Sequence, residues 1–541
     1  MSRLLVTIAA SLILLPWQTS LPVEAGLQQA IRLEIESLSV SGHLSVNGIP
    51  VAAADLMVKV YERRGFAPVW DAPEQVESLL ETVRRSYDDG LRPADYQLSD
   101  IEKLQQSIVS GRELSTREKA AFDLMLTDSL IRLVYHLYYG KVDAETRAAI
   151  WDFGRLLNGR DPSTVIAGII DSAVLADAIS SITTSDPDYD RLKAQLQQHR
   201  TTAAAGGWPD VPNGPTIRPD SNDPRIETLA TRLSISGDLD KDASFAAVSS
   251  YTPALQDAVR RFQVRHGLEG DGLVGQATLR ALNVSIEQRI DQIRVNLERA
   301  RWRLASQVDD LILVNVAGFK AYVIRDGKIV WTMKIIVGEP DKQTPLFRAT
   351  LSHIVLNPTW TVPYSIASEE LLPKIKADPN FLQNGRYQLF DRDGSVIDSS
   401  AVDWSMIRIG TFPFTLVQQP GPANQLGQIK FVFRNDYSVC MHDTPARLLF
   451  TKVGRAFSHG CIRVDEPIDL AEVLLASEGW TRTEIEAGIE SEETRTIVLA
   501  NPLPIAIVYW TAEVNDRGEM YFFDDIYERD VVVLRSLDRP L

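Results

Sequence analysis

The pattern of apolar and polar positions changes character along the chain. From about residue 50 to 200 apolar residues recur at helical spacing, as in Leu124, Leu126, Leu130, Leu133, Val134 and Leu137, with Gly140 placed to stop the helix. Residues 201 to 222, TTAAAGGWPDVPNGPTIRPDSN, lose this period and fill with Gly, Pro, Ala and Asn, the texture of an exposed connection. A second helical unit runs to about Asn283. Thr252 can cap and Pro253 can occupy the first turn of a helix whose Leu255, Val259 and Phe262 share one face, and Gly267 and Asp271-Gly272 mark a helix end and a tight turn.

After a helix expected over about Ser285 to Leu304, the texture becomes β. LILVNVAG, KAYVIRDGKIVWTMKIIVG and ATLSHIVL are rich in Val, Ile and aromatics, and Asp326-Gly327 between two such runs is a hairpin signal. Between Pro363 and about Thr415 the strand pattern lapses into helical and loop-like text before strands resume at FVFRNDYSVCMHD. A long insertion of this kind near a site is often a lid. The expected fold is multidomain α+β: a leader at 1–25, a helical domain at 26–205, a linker at 206–222, a small three-helix module at 223–284, a connecting helix at 285–310, and a β-rich domain at 311–541 with its insertion at about 363–415.

Composition narrows the function. With 45% hydrophobic and 24% charged residues in 541, the chain supports several globular cores. Its formal charge of −16, from 56 Lys+Arg against 72 Asp+Glu, would repel a phosphate backbone, so nucleic acid is not expected as a partner. Arg3, the apolar run from Leu4 to Leu15, Pro16 and the small-residue exit at Val23-Glu24-Ala25 have the layout of a secretory signal, so export to the periplasm and cleavage after Ala25 are expected. The run is too short for a spanning helix, which needs about 20 apolar residues. Two cysteines, Cys440 and Cys461, do not make a disulfide framework, and a thiol kept in an oxidising compartment invites a chemical explanation.

That chemistry concentrates in YSVCMHDTPARLLFTKVGRAFSHGCIRV, which holds His442, Ser458, His459, Gly460, Cys461 and Arg463. A free thiol has a reference pKa of about 8.5, so a nucleophilic cysteine needs an imidazole or dipole beside it. Either histidine could serve: His442 from a neighbouring strand, or His459 two residues before the thiol on an extended chain. Gly460 would let a carbonyl approach the backbone, where N–H groups near Gly460 and Cys461 could hold an oxyanion. The bland alternative is a small buried cysteine with two hydrogen-bonded histidines. Zinc on His442, His459 and Cys461 is disfavoured because the spacing matches none of the usual patterns, and no metal or organic cofactor is expected. Cys440, two residues before His442 on a strand, is by default a buried small side chain, the alternative being a Cys440–Cys461 disulfide that would switch the site off.

The run HDTPARLLFTKVGRAFSHGCIRV resembles the signature of the YkuD-type L,D-transpeptidases, a His followed by a Ser/Thr-His-Gly-Cys block. By that resemblance Cys461 is the nucleophile and His442 the base, with Ser458, His459 and Gly460 as the flanking block. Cys461 would be acylated by a tetrapeptide stem of peptidoglycan, and an amine of a second stem would complete a 3-3 cross-link. Water as acceptor would make the same site an L,D-carboxypeptidase. Many shorter members carry Asn where this chain has Arg463, and Arg463 with YERRGFAPVW, DDGLRPADY, GGWPDVPNGP, NPTWTVP and PLPIAIVYWTAEVNDRGEMYFFDDIYERD resembles the long, multidomain branch that includes YcbB. Arg463 would there steady a stem-peptide carboxylate or form a structural salt bridge.

LQDAVRRFQVRHGLEGDGLVGQATLRALN resembles a peptidoglycan-binding module, and the helical domain a scaffold. The implied partners are stem peptides and glycan, carbapenem-type β-lactams as acylating inhibitors, and other cell-wall enzymes. Trp360 and Tyr437 are candidate substrate-binding residues, and Trp404 another groove candidate, although packing is the commoner role for an isolated aromatic of this kind. Two readings compete with the enzyme. A wall-binding scaffold with a dead catalytic domain need not keep Cys461, His442 and Gly460 together, and in a papain-like hydrolase the cysteine precedes its histidine and opens a helix, the reverse of the order here.

Overall fold

The computed structural model describes residues 23–41, 44–46, 49–143, 153–183, 186–240, 250–304 and 309–540. The expected leader therefore lies outside the described residues except for its last three positions, which open the helix Val23–Ser41. Among the described residues no helix is long and apolar enough to cross a membrane.

The chain divides into two units. The first, comprising 1–143, 148–184 and 538–541, is built on the helix Thr116–Tyr139. Ser115 and Glu118 form a capping box at its start, and Gly140, at φ +89°, ends it as the sequence pattern predicts. From Ala120 to His136 it is buried on every side, so its polar residues need partners: the Asp123 carboxylate accepts from the Val69 and Trp70 N–H groups and the Tyr61 hydroxyl.

The second unit opens with the helix Pro187–Ala204 and continues into the three-helix module Ile226–Ile235, Pro253–Arg265 and Gln276–Leu282. Thr252 caps, Pro253 fills the first turn, and Leu255, Val259 and Phe262 are fully buried, as expected. Residues 206–222 are largely exposed, as their composition suggests, but they are anchored to the module rather than loose. Val211 and Ile217 are buried in the module's core, Ile217 bridges to Val274, and Trp208 donates its indole N–H to Val284 O. The Pro and Gly residues set a course for a wrapping segment whose few apolar anchors carry no period.

The helix Ile286–Leu304, capped by a Ser285–Gln288 exchange of hydrogen bonds, leads into the β domain. Its strands are β1 Leu311–Asn315, β2 Lys320–Arg325, β3 Lys328–Gly338, β4 Arg348–Leu356, β5 Ile429–Phe433, β6 Met441–His442, β7 Ala456–Ser458, β8 Ile462–Val464 and β9 Arg495–Val508. The sheet order is β7-β3-β8-β6-β5-β4-β9-β1-β2, and a further β2–β3 pairing closes it into a barrel with β7 attached outside. The predicted β2–β3 hairpin turns at Asp326-Gly327 with φ +48° and +70°, the double positive φ of a type I′ turn. Inward residues such as Val314, Val323, Ile335, Ile354, Phe431, Met441, Ile462 and Ile505 form one core.

The insertion between β4 and β5 is more than helix and loop. It holds a four-stranded antiparallel sheet of Trp360–Thr361, Thr415–Gln418, Tyr387–Phe390 and Val396–Ile397, in that spatial order, around a core of Val362, Leu371, Leu372, Leu389 and Leu416. Strands of two to four residues are too short to show alternation.

Candidate active site

Parallel pairing of β6 with β8 sets Met441 against Ile462 and His442 against Arg463. Because alternate residues of a strand face opposite ways, burying Met441 and Ile462 in the barrel turns Cys440, His442 and Cys461 toward the other side. Cys440 Sγ lies 3.2 Å from Cys461 Sγ, the Cys440 N–H donates to that same sulfur at 3.3 Å, and the Ile462 N–H donates to Cys440 O at 2.9 Å. The two sulfurs and a ring nitrogen of His442 lie within 4.8 Å of one another.

The electrostatics favour a thiolate on Cys461. The hydrogen bond from Cys440 pulls the Cys461 thiol down to about 7, helped by the Lys430 and Arg463 cations and opposed by burial. The same contact, with burial, pushes the Cys440 thiol up, so it is the proton-bearing partner. Burial holds His442 down to about 3, with Arg463 and Lys430 adding to the effect. The ring is therefore neutral near pH 7, and donation from Nδ1 to Asp443 O leaves Nε2 as its lone-pair nitrogen.

The surroundings hold this arrangement in place. The Asp443 carboxylate accepts from the Gln428 and Thr444 N–H groups at 2.7 and 2.6 Å and from Arg447 at 2.5 Å. A Cβ on Gly427 would lie 2.3 Å from that carboxylate, so only glycine fits there. Beside the cysteine, Gly460 has φ +109°, and its carbonyl accepts from the Thr344 hydroxyl at 2.9 Å. Ser458 Oγ donates to Cys461 O and accepts from the Gly460 N–H at 3.1 Å. The Gly460 N–H is thus engaged within the turn, contrary to the expectation that it faces an oxyanion.

His459 points away: its Nε2 sits 2.7 Å from Lys342 Nζ and in contact with Glu370 of the insertion, and Lys342 Nζ is 3.7 Å from Glu370. It belongs neither to the base position nor to a metal set with Cys461. Trp360 and Trp404 are partly buried and pack against the insertion's core. Tyr437 is 58% exposed with its ring 5.0 Å from Phe347, and its neighbour Ser438 presents a carbonyl 3.9 Å from Cys461 Sγ. Arg463 has no ion pair among the described residues, and its Nε is buried without a hydrogen-bond partner.

Lys430, Lys342, Glu370, Asp443 and Thr344 escaped the sequence reading. Of these, Asp443 alone lay inside the segment singled out; the others come from strands and loops that only pairing brings near. As a metal site, Cys440, His442 and Cys461 would supply three donors. Tetrahedral zinc with Zn–S of about 2.3 Å holds sulfurs about 3.8 Å apart, wider than the separation here.

The chain thus presents a β-barrel with Cys461 and a neutral His442 on adjacent strands, preceded by a three-helix module. Residues 309–493 match the model of the L,D-transpeptidase catalytic domain, residues 222–282 that of the "Putative peptidoglycan binding domain" and residues 55–196 that of the scaffold domain. The chain thus carries the catalytic domain of the YkuD-type L,D-transpeptidase family together with a peptidoglycan-binding domain.

It is 33% identical over 267 residues to the "Putative L,D-transpeptidase" of Haemophilus influenzae (strain ATCC 51907 / DSM 11121 / KW20 / Rd), a match covering 49% of this chain. The chain spans 54% of the length of that relative. The crystal structure of the L,D-transpeptidase (residues 123-326) from Xylanimonas cellulosilytica DSM 15894 aligns at 14% identity and TM-score 0.16, covering 55% of this chain and 99% of that one, a likeness too weak to carry weight.

Proposed function

We propose that this chain is an exported, periplasmic L,D-transpeptidase that forms 3-3 cross-links in peptidoglycan through a thioester on Cys461. The observation that carries the reading is the Cys461 sulfur, which accepts the Cys440 N–H and lies within 4.8 Å of a ring nitrogen of His442, whose Nδ1 donates to Asp443 O. Cys461 Sγ attacks the carbonyl after the third residue of a tetrapeptide stem, and the C–N bond to the terminal D-alanine breaks. His442 accepts the Cys461 thiol proton and passes it to the leaving amine, and a thioester remains. An amine on the side chain of a second stem's diaminopimelate then attacks; His442 accepts its proton, and the thiolate leaves.

The Cys461 N–H is the oxyanion donor in this scheme, an effect worth about 3 kcal/mol for one donor in known cases. Arg463, whose Nε is buried without a partner, suits a stem carboxylate. Carbapenems would enter the same site as acyl donors. The test is to incubate the full chain with disaccharide-tetrapeptide and separate the products. Stem dimers with release of D-alanine support the proposal, tripeptide monomers alone indicate the carboxypeptidase, and unchanged substrate indicates a binding scaffold.

A further inference from the structure

The partner that lowers the Cys461 thiol is itself a thiol, and the two side chains are cross-strand neighbours. Extending the β6–β8 register by one residue from Met441–Ile462 sets Cys440 opposite Cys461. Adjacent strands run about 4.8 Å apart. That spacing falls within the roughly 4.4 to 6.8 Å between Cα atoms that a disulfide spans. With the sulfurs at 3.2 Å, bond formation needs side-chain rotation and an approach of about 1.1 Å, and no slip of the strands. Cys461 is half-buried and reachable from outside, while Cys440 sits directly behind it as a resolving thiol.

We propose that Cys440 and Cys461 interconvert between a dithiol and a disulfide, so that the oxidation state of this pair gates the nucleophile. The proposal rests on the reading of Cys461 as nucleophile given above. The oxidant is an external disulfide, small-molecule or protein. Cys461 thiolate attacks one of its sulfurs, forming a mixed disulfide and releasing one thiolate. Cys440 then loses its proton and attacks the Cys461 sulfur, expelling the second thiolate. Two protein thiols and one disulfide become one protein disulfide and two external thiols, and an external dithiol reverses the exchange. Closure would block acylation and, by resolving a mixed disulfide or sulfenic acid quickly, would keep Cys461 from irreversible oxidation.

The test uses the full chain and Cys440→Ser, which keeps a hydroxyl donor beside Cys461 but cannot close the bond. Each reduced protein is exposed to oxidised glutathione and its intact mass recorded. The wild type should lose about 2 Da and hold no glutathione, whereas Cys440→Ser should stop at the mixed disulfide, about 305 Da heavier. Dithiothreitol should restore both masses, and a non-reduced digest of oxidised wild type should yield the Cys440–Cys461 linked peptide. A wild type that retains glutathione, or keeps two free thiols, would overturn the proposal. Acylation by a carbapenem is measured separately on reduced protein: disulfide formation without acylation counts against the enzyme reading, and acylation without disulfide formation counts against the switch alone.

Discussion

Cys461 is held near 7 chiefly by the hydrogen bond from Cys440, so its reactivity carries a distinctive pH dependence. The thiolate fraction rises as pH climbs through the pKa, so alkylation by iodoacetamide should climb about tenfold per unit below pH 7 and level off above it. In Cys440→Ala the loss of that donor should move the midpoint up toward the ordinary value of about 8.5 and slow alkylation at pH 7 roughly tenfold. A wild-type midpoint already near the ordinary value would contradict this. Gly460→Ala tests the turn. A Cβ there would meet only ordinary contacts, at 3.7 and 3.8 Å, but φ +109° is closed to alanine without strain of about 1–3 kcal/mol. We expect acylation to fall at least tenfold while circular dichroism stays native; unchanged acylation would show that the turn tolerates a side chain. Of this site, His442, Ser458, Gly460 and Cys461 were legible because a run of 20 residues, 442–461, holds them all. Lys430 was not, since nothing in the sequence shows that β5 would pair Lys430 with His442.

The insertion between β4 and β5 reaches the catalytic turn through Glu370, which meets His459 and Lys342. These side chains are about one-third exposed, and such pairs contribute less than about 1 kcal/mol to stability. Glu370→Ala should therefore leave the melting temperature nearly unchanged. It should nonetheless raise amide exchange across Ile366–Leu371, because a small local opening energy is sensitive to one contact. Unaltered exchange would mean that the insertion's own apolar core alone sets its position. The barrel's long strands and the Asp326-Gly327 turn were readable from alternation and turn chemistry. The insertion's sheet was hidden in strands too short for a period, and the Trp208 to Ile217 wrap was masked by its Pro and Gly content.

Within the second unit, the three-helix module and the helix Ile286–Leu304 each contact the β domain. Arg265 pairs with buried Asp238 at 2.6 Å and donates to Met520 O at 2.7 Å, and the Arg289 guanidinium lies 4.4 Å from the Phe522 ring centre. Arg265→Ala leaves Asp238 buried without its cation, at a cost of about 3 kcal/mol, and should split one calorimetric transition of this unit into two. A single transition at unchanged temperature would contradict that coupling. The order of domains was legible in the sequence, whereas this docking, made by Arg residues that look like ordinary helix surface, was not. Whether Cys461 is the acylated nucleophile is decided by intact-protein mass spectrometry of the reduced full chain with a carbapenem, beside Cys461→Ala. One adduct per wild-type chain and none on the variant are expected; an unmodified wild type, or an adduct that persists on Cys461→Ala, would rule that role out.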